Sequence, residues 1–323
     1  MIKNKSYRSK QAINRRRSPQ RRRIDANAQR KNLLLKKAHE TLSILSSGGY
    51  VDVDGDVISV SDPTAESFDQ TVLYSNDSPL FQTWQEDADR SRPERVTIDT
   101  EFDFRQAHAA AAVVSLVDPD SDPHQTIGIL NAGSSKHAPT SFLNGGDDAE
   151  AALLRSSTFD AVQRSAAASE WYRFHRSEAN SPVATHALLY TPNVMIIRNA
   201  YGTLIRPRKV DVVTAAALNA NAISAKHPDN TRQVTVDLLR ERCSRALRLF
   251  QSHGIEVLVL DTMGADADAA AEVWCELLAC DDSPFYNVFS YVVFAVVGNR
   301  YDEFRQAFET YQYNAELTKA LLS

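Results

Sequence analysis

The chain has 323 residues, a formal net charge of −5, 43% hydrophobic residues and a mean hydropathy of −0.35. That composition can bury a sizeable core. It holds no apolar run near the ~18 residues a bilayer crossing needs, which excludes a membrane-spanning helix, and the first thirty residues lack the apolar segment of a secretory leader, so an intracellular, cytoplasmic protein is expected.

Charge is spread unevenly from the start. Residues 1–37 hold fourteen Lys/Arg against the single acid Asp25, which leaves the remainder strongly acidic. Arg15, Arg16, Arg17, Arg21, Arg22 and Arg23 lie in a stretch without apolar periodicity up to Ile24, so residues 1–23 are expected to form a basic arm that is disordered unless bound. Such an arm binds a nucleic-acid backbone through counterion release, docks on an acidic protein surface, serves as a nuclear import address, or is a solvated tail. The sequence leaves these open, and no aromatic interleaving in the arm points to base stacking.

Residues 24–323 read as one α/β domain. Length alone allows two, at about 150 residues each, but nothing linker-like divides the chain. Leu33 to Tyr50 suits an opening helix with a Gly-Tyr end. The acidic, Ser- and Pro-containing region from Asp52 to Pro123 suggests loops around short strands, such as 51–60 and 96–104, with Phe81 and Trp84 as core anchors or interface residues. The Ala-rich stretch from Glu101 to Val117 fits a helix or an apolar strand equally. An apolar run, Ile127 to Leu130, then leads through Asn131 into a small-residue loop, and Phe142-Leu143-Asn144-Gly145-Gly146 opens an Ala/Leu-rich helix ending near Arg155-Ser156-Ser157. A strand, a loop and a helix start direct backbone N–H groups at one spot, which suits a phosphate; an ordinary βα connection has the same outline.

The second half alternates more regularly. His186 to Arg198 reads as strand, turn and strand, and Val210 to Ala217 as another strand. Val234 to His253 is an amphipathic helix, with Val236, Leu239, Cys243, Leu247 and Phe250 inward and Arg240, Arg242, Arg245 and Arg248 on other faces. Leu258 to Asp261 is a strand, Ala269 to Cys280 a helix, Tyr291 to Val297 a buried strand and Asp302 to Leu322 a closing helix. This alternation favours a mixed, largely parallel sheet between helices. Cys243, Cys275 and Cys280 are an odd, scattered set without CxxC pairing and read as reduced thiols, the latter two in the core around Trp274. His124, His137, His175 and His186 show no ligand spacing, so neither metal nor cofactor is expected.

The order of residues from Ile127 to Ser157 resembles the microbial-type poly(ADP-ribose) glycohydrolases, a branch of the macrodomain fold. In that family an Asn-bearing strand end precedes a triple-glycine diphosphate loop, an Asn-Gly, a Gln-Glu-Glu catalytic motif and Arg-Ser-Ser-like residues. The likeness extends to Leu33–Tyr50, to Asp211–Asn221 as the strand reaching the ligand, to His253–Leu260 with Met263-Gly264 before a second phosphate loop, and to Tyr291–Val297. It implies a macrodomain-like three-layer α/β/α sandwich. If binding is retained, it also implies ADP-ribose contacts at Asn131, Asn144, Gly145, Gly146, Glu150 and Gly264.

The working parts depart from the family pattern. Thr140-Ser141-Phe142 follows Pro139 where bare glycine backbone should cradle a diphosphate. Counting back from Arg155-Ser156-Ser157, the Gln-Glu-Glu positions fall on Ala149, Glu150 and Ala151. Alanine thus stands where the family carries its acid/base, a function worth ~10²–10⁴ in rate. Glu150 keeps the carboxylate that the family uses to orient the ribose, and is the catalytic candidate if activity persists, with Asp147 and Asp148 near enough to stand in. The second loop, Asp261 to Asp268, keeps Gly264 but adds Asp261, Asp266 and Asp268, three carboxylates expected to repel a diphosphate. The pocket is either filled by Phe142 and Met263 or open.

The resulting expectation is a pseudoenzyme, a non-enzymatic binding or structural protein on a degenerate glycohydrolase scaffold. The alternative is a divergent ADP-ribosyl hydrolase or ADP-ribose-binding protein. A basic-tailed, altered glycohydrolase also resembles the accessory surface (crown) proteins of fungal double-stranded RNA megabirnaviruses. That likeness would make a viral capsid the arm's partner and the virion surface its location.

Overall fold

Strands whose residues are apolar at nearly every position must be covered on both faces, which is the condition met by a parallel sheet between helix layers. A computed structural model of the chain describes residues 19–83, 86, 99–116, 125–177 and 183–322. In chain order these form α1 (Pro19–Ser47), β1 (Gly49–Val51), β2 (Val57–Ser59), α2 (Ser61–Asp69), β3 (Val72–Tyr74), α3 (Pro79–Gln82), β4 (Glu101–Arg105), α4 (Ala109–Leu116) and β5 (Ile127–Gly133). A 3-10 turn (Ser141–Asn144) follows, then α5 (Ala149–Ser156), α6 (Phe159–Val162), α7 (Ala166–Arg176), β6 (Leu188–Arg198), β7 (Leu204–Ala216) and α8 (Ala220–Lys226). The chain closes with α9 (Thr231–Ser252), β8 (Val257–Leu260), α10 (Ala267–Leu278), β9 (Tyr291–Ala295) and α11 (Arg300–Leu322).

β1 and β2 pair as a small hairpin, and the other strands form a seven-stranded sheet in the order β3-β6-β7-β5-β8-β9-β4. The strands from β7 to β4 run parallel, and β6 lies antiparallel to both β7 and β3. On one face, α9, α10 and α11 enclose Phe250, Trp274, Phe285, Phe294 and Phe308. On the other, α1, α4, α5 and α6 enclose Ala38, Val113, Ala151, Leu154 and Phe159 against Ile129, Val212 and Val259. Each large side chain buried in this way stabilises the fold by roughly 1.5–3 kcal/mol. The expected three-layer α/β/α arrangement is present.

Where β5 crosses beneath α9, only a hydrogen fits. A Cβ on Gly128 would stand 2.6 Å and 2.7 Å from two carbons of the Phe250 ring and 3.0 Å from Ile255. Gly128→Ala is therefore expected to cost about 1–3 kcal/mol by overpacking, read as a lower urea midpoint at unchanged slope.

Several elements differ from the sequence expectation. α1 begins at Pro19, which is tolerated at a helix start because its missing N–H would have no partner there. It therefore takes Arg21, Arg22 and Arg23 into its first turns, while Arg15, Arg16 and Arg17 lie outside the described residues. The acidic region contains α2, β3 and α3, with Phe81 in the core; Trp84 and residues 96–98 and 117–124 lie outside the described residues. Residues 101–116 are a strand and then a helix. β6 is one strand, kinked where Asn193 takes a left-handed φ of 58° at a register shift. Arg242 and Arg248 are buried rather than set on an outer face of α9. Arg242 donates to the carbonyls of Ala216 (2.5 Å) and Val183 (3.2 Å), and burial lowers its pKa to about 10. Cys243 and Cys275 are buried, and Cys280 lies half-buried just past α10.

Candidate functional site

β5 and α5 meet through one carboxyl group. Asp148 starts α5 by accepting the N–H of Ala151 at 2.9 Å, a cap worth about 1 kcal/mol. The turn thus fixed aims Glu150 back at the end of β5. There Glu150 Oε1 accepts from Asn131 Nδ2 at 3.3 Å, and Oε2 accepts from the backbone N–H of Ser134 at 3.0 Å. Asn131 also donates to Thr214 Oγ1 at 3.3 Å, across the β5–β7 register that places the two opposite each other. Gly133 makes the approach possible, since a Cβ there would meet Thr214 at 2.5 Å and Glu150 Oε1 at 3.1 Å. Burial pushes the Glu150 pKa up to about 7, against the lowering effect of the Ser134 and Asn131 hydrogen bonds.

Glu150 lines a cavity of ≈ 300 Å³ together with His108, Asp148, Asp261, Thr262 and Arg300, over a floor that includes Ala132 and Val296. It opens at the carboxyl ends of β5, β8 and β9, where parallel sheets place ligand crevices. Its volume is at the small end of ligand pockets, roughly 300–1,000 Å³. A larger depression of ≈ 830 Å³ lies between the end of α10 and α11, and it gathers none of the strand-end groups. Asp261 ends β8 and accepts the Met263 N–H at 2.7 Å; burial raises its pKa to about 6. Met263 is driven into a left-handed φ of 52° with its side chain in the core, and Gly264 follows at 80°. A Cβ on Gly264 would strike the Leu218 carbonyl at 2.8 Å.

The second loop presents fewer charges than expected. Asp266 caps α10 by accepting the Ala269 N–H at 2.9 Å, and Asp268 pairs with Arg232 at 2.6 Å. Of the three acids, Asp261 is the one that lines the cavity.

The residues of the first loop are also redistributed. Phe142 is buried in the core layer beneath α1, and Ala151 is 0% exposed in the same cluster. Asn144 is exposed and donates to the Thr140 carbonyl at 3.2 Å. Gly145, at a φ of 70°, lies under Lys31 of α1, and Gly146 packs on Ser141. The structure therefore brings Asn131, Glu150 and Gly264 to one place, and sets Asn144, Gly145 and Gly146 apart from it.

Beside the cavity, Asp147 gathers two arginines and a histidine that no sequence pattern connects. Arg30 of α1 donates to it, Arg155 does so at 3.0 Å, and His108 Nε2 lies 3.7 Å away. Arg155 also holds the Gly146 carbonyl. Burial lowers the His108 pKa, partly offset by Asp147. The pairing of Arg30 with Asp147 spans 117 positions, so no local pattern could have announced it.

Comparison with known proteins agrees with this geometry. A poly(ADP-ribose) glycohydrolase from Thermomonospora curvata is similar at a TM-score of 0.74 and 27% identity, over 86% of this chain and 100% of that one. Its complex with the inhibitor ADP-HPD gives 0.71 and 28%, with the same coverage. A poly(ADP-ribose) glycohydrolase from Deinococcus radiodurans in complex with ADP-ribose gives 0.64 and 27%, over 76% of this chain and 97% of that one. No curated protein sequence matches. The model of the microbial-type PARG catalytic domain matches residues 38–199, half of the chain, from α1 through the Asn131–Glu150 junction to the end of β6. With the sheet order, the strand-end cavity and the family pattern in agreement, the chain belongs to the microbial-type poly(ADP-ribose) glycohydrolases.

Proposed function

We propose that this member of the family binds a ribosyl ligand without hydrolysing it, and that its cavity takes nucleosides or ribose groups in preference to a diphosphate. The observation that carries this reading is Ala151: the position of the family's acid/base holds a methyl group enclosed in the core, with no group that can move a proton. Two further features support it. The Ser134 N–H, which would open a phosphate cradle, is already bonded to Glu150, and Asp261 adds a third carboxyl, beside those of Glu150 and Asp148, to a cavity of ≈ 300 Å³. The basic arm then supplies contact with an anionic partner, a capsid included. If that partner is a capsid, the protein co-purifies with particles, and its absence from purified particles sinks that part.

Glu150 favours a second reading, that of a divergent ADP-ribosyl hydrolase. A buried carboxyl with a pKa near 7 is suited to general acid work at neutral pH. One assay separates the two. Poly(ADP-ribose) and a mono-ADP-ribosylated protein are incubated with the wild type and with Glu150→Gln, and ADP-ribose release is followed. No release by either protein is expected. Release by the wild type that Glu150→Gln abolishes would establish the second reading. Calorimetric titration should show adenosine binding at least as tightly as ADP-ribose; markedly tighter ADP-ribose would refute the preference against a diphosphate.

A further inference from the structure

We propose that the ribbon formed by the outer ends of β6 and β7 is a binding face for single-stranded nucleic acid. It rests on the reading that the basic arm meets an anionic partner, and it names that partner. β7 pairs with β5 from Asp211 onward, so its first residues, Leu204–Val210, pair among the described residues with β6 and project beyond the sheet. On this ribbon Arg208 pairs opposite Ile196 and continues the face of Val210 and Val212, while Arg206 lies exposed in the bulged stretch between the Leu204–Arg198 and Arg208–Ile196 pairs. Lys209 is exposed on the other face. Pro207, between the arginines, has no N–H to offer a pairing strand, so this edge is fitted to contact through side chains.

At the ribbon's tip an aromatic ring is held out into solvent. Tyr201 is 86% exposed, more than any other large hydrophobic or aromatic side chain among the described residues. Its turn is nevertheless firmly built. Asn199 Oδ1 accepts the N–H groups of Tyr201 and Thr203 at 3.0 Å and 3.1 Å, and the Asn199 carbonyl accepts the Gly202 N–H at 2.8 Å. Lys37 of α1 donates to the Tyr201 carbonyl at 2.6 Å, and Arg198 to that of Gly202 at 3.0 Å. Gly202 is required there, since its φ is 77° and a Cβ would lie 1.8 Å from the Lys37 ammonium. A fixed turn that leaves its one ring free is suited to stacking on a base.

The charge around this ring is cationic and only partly compensated. Lys37 and the buried Arg198, which pairs with Glu40 at 3.2 Å, hold the turn; Arg206 and Lys209 are exposed farther along the ribbon, and the β1–β2 hairpin that carries Asp54 and Asp56 is tied to β7 by the Val53 N–H on the Leu204 carbonyl at 2.9 Å. α1 adds the exposed Lys36 next to Lys37. Phosphates on the arginines and a base on Tyr201 together make a single-stranded site.

The test is fluorescence anisotropy of the full chain with labelled oligo(U), titrated across salt. Arg206→Ser with Arg208→Ser should reduce the magnitude of the log K against log salt slope by about 1.4, at roughly 0.7 per phosphate contact. Tyr201→Ala should weaken binding about tenfold with the slope unchanged. Circular dichroism checks that each variant is folded. If slope and affinity change only on replacing Arg15, Arg16 and Arg17, the arm reading stands and the ribbon face is wrong. Absence of oligo(U) binding by the wild type sinks the ribbon face as a nucleic-acid site and leaves the arm's anionic partner to a poly-glutamate titration. Equal binding of poly-glutamate with Tyr201→Ala silent would identify an acidic protein surface and overturn the proposal.

Discussion

Ala151→Glu is expected to lower the unfolding free energy by about 3–5 kcal/mol and to release no ADP-ribose. The substitution restores the family's residue on paper, but in this chain the Ala151 methyl lies at zero exposure among Ala38, Phe142, Leu154 and Val212. A carboxylate there is sealed from solvent, Arg155 one turn on is already engaged by Asp147 and the Gly146 carbonyl, and the added atoms must displace close-packed neighbours. Ala151→Val separates the two effects, because it adds volume without charge; it should cost about 1–3 kcal/mol at any pH, whereas the glutamate's cost should grow as pH rises. Urea denaturation at pH 5 and pH 8 measures both. A glutamate variant as stable as the wild type that also cleaves poly(ADP-ribose) would show that α5 turns to present this position to the cavity, and the core assignment of Ala151 would fall.

Glu150→Gln should stabilise the protein at pH 8 by about 3 kcal/mol and leave it unchanged at pH 4. The folded-state pKa is raised from 4.5 to about 7, so the folded chain holds a proton that the unfolded chain releases. The stability this group contributes is therefore fully present below pH 4.5 and is lost as pH rises through about 7, at 1.36 kcal/mol for each tenfold change in the proton equilibrium. Glutamine keeps an acceptor for the Ser134 N–H and removes the charge, and the Asn131 amide can turn to meet it. Asp261, raised from 3.8 to about 6, gives a dependence of the same sign over a lower window, which persists in the variant. The measurement is the unfolding free energy of both proteins between pH 4 and pH 9. Parallel curves would mean that Glu150 titrates as an exposed carboxylate and is not sealed against β5.

The parts legible in the sequence were those whose signals are local. β5, β8, β9 and α9 announce themselves by apolar runs or by a 3.6-residue period, and Asn131, Glu150 and Gly264 occupy the strand and helix ends where the motif order put them. α2 and α7 also carry local signs, Pro63 in the first turn of one and Ser165 capping the other by accepting the Ala168 N–H at 3.1 Å, but the Asp- and Ser-rich surroundings of α2 read as loop. What was not legible depends on distant partners. Arg242 looks like a surface cation until its bonds to the carbonyls of Ala216 and Val183, 26 and 59 positions away, are seen. Asn144, Gly145 and Gly146 sit in the motif as ligand contacts, yet α1 packs over the glycines and Phe142 draws the turn into the core. The acids of the second loop look alike in sequence and separate only when one caps a helix, one finds Arg232 and one is left at the cavity.

The seven-stranded sheet ends on β3, of three residues, and on β4, of five, while its longest strands lie inside. Unpaired backbone at these two ends is short and offers a foreign strand few rungs to climb, and the flank where β6 and β7 run on past their neighbours is interrupted by Pro192 and Pro207, which have no N–H to donate. β4 adds Glu101, Asp103 and Arg105 along one side, so an incoming chain would meet charge as well as brevity. The protein can therefore concentrate where its partner is abundant without seeding fibrils from its own sheet.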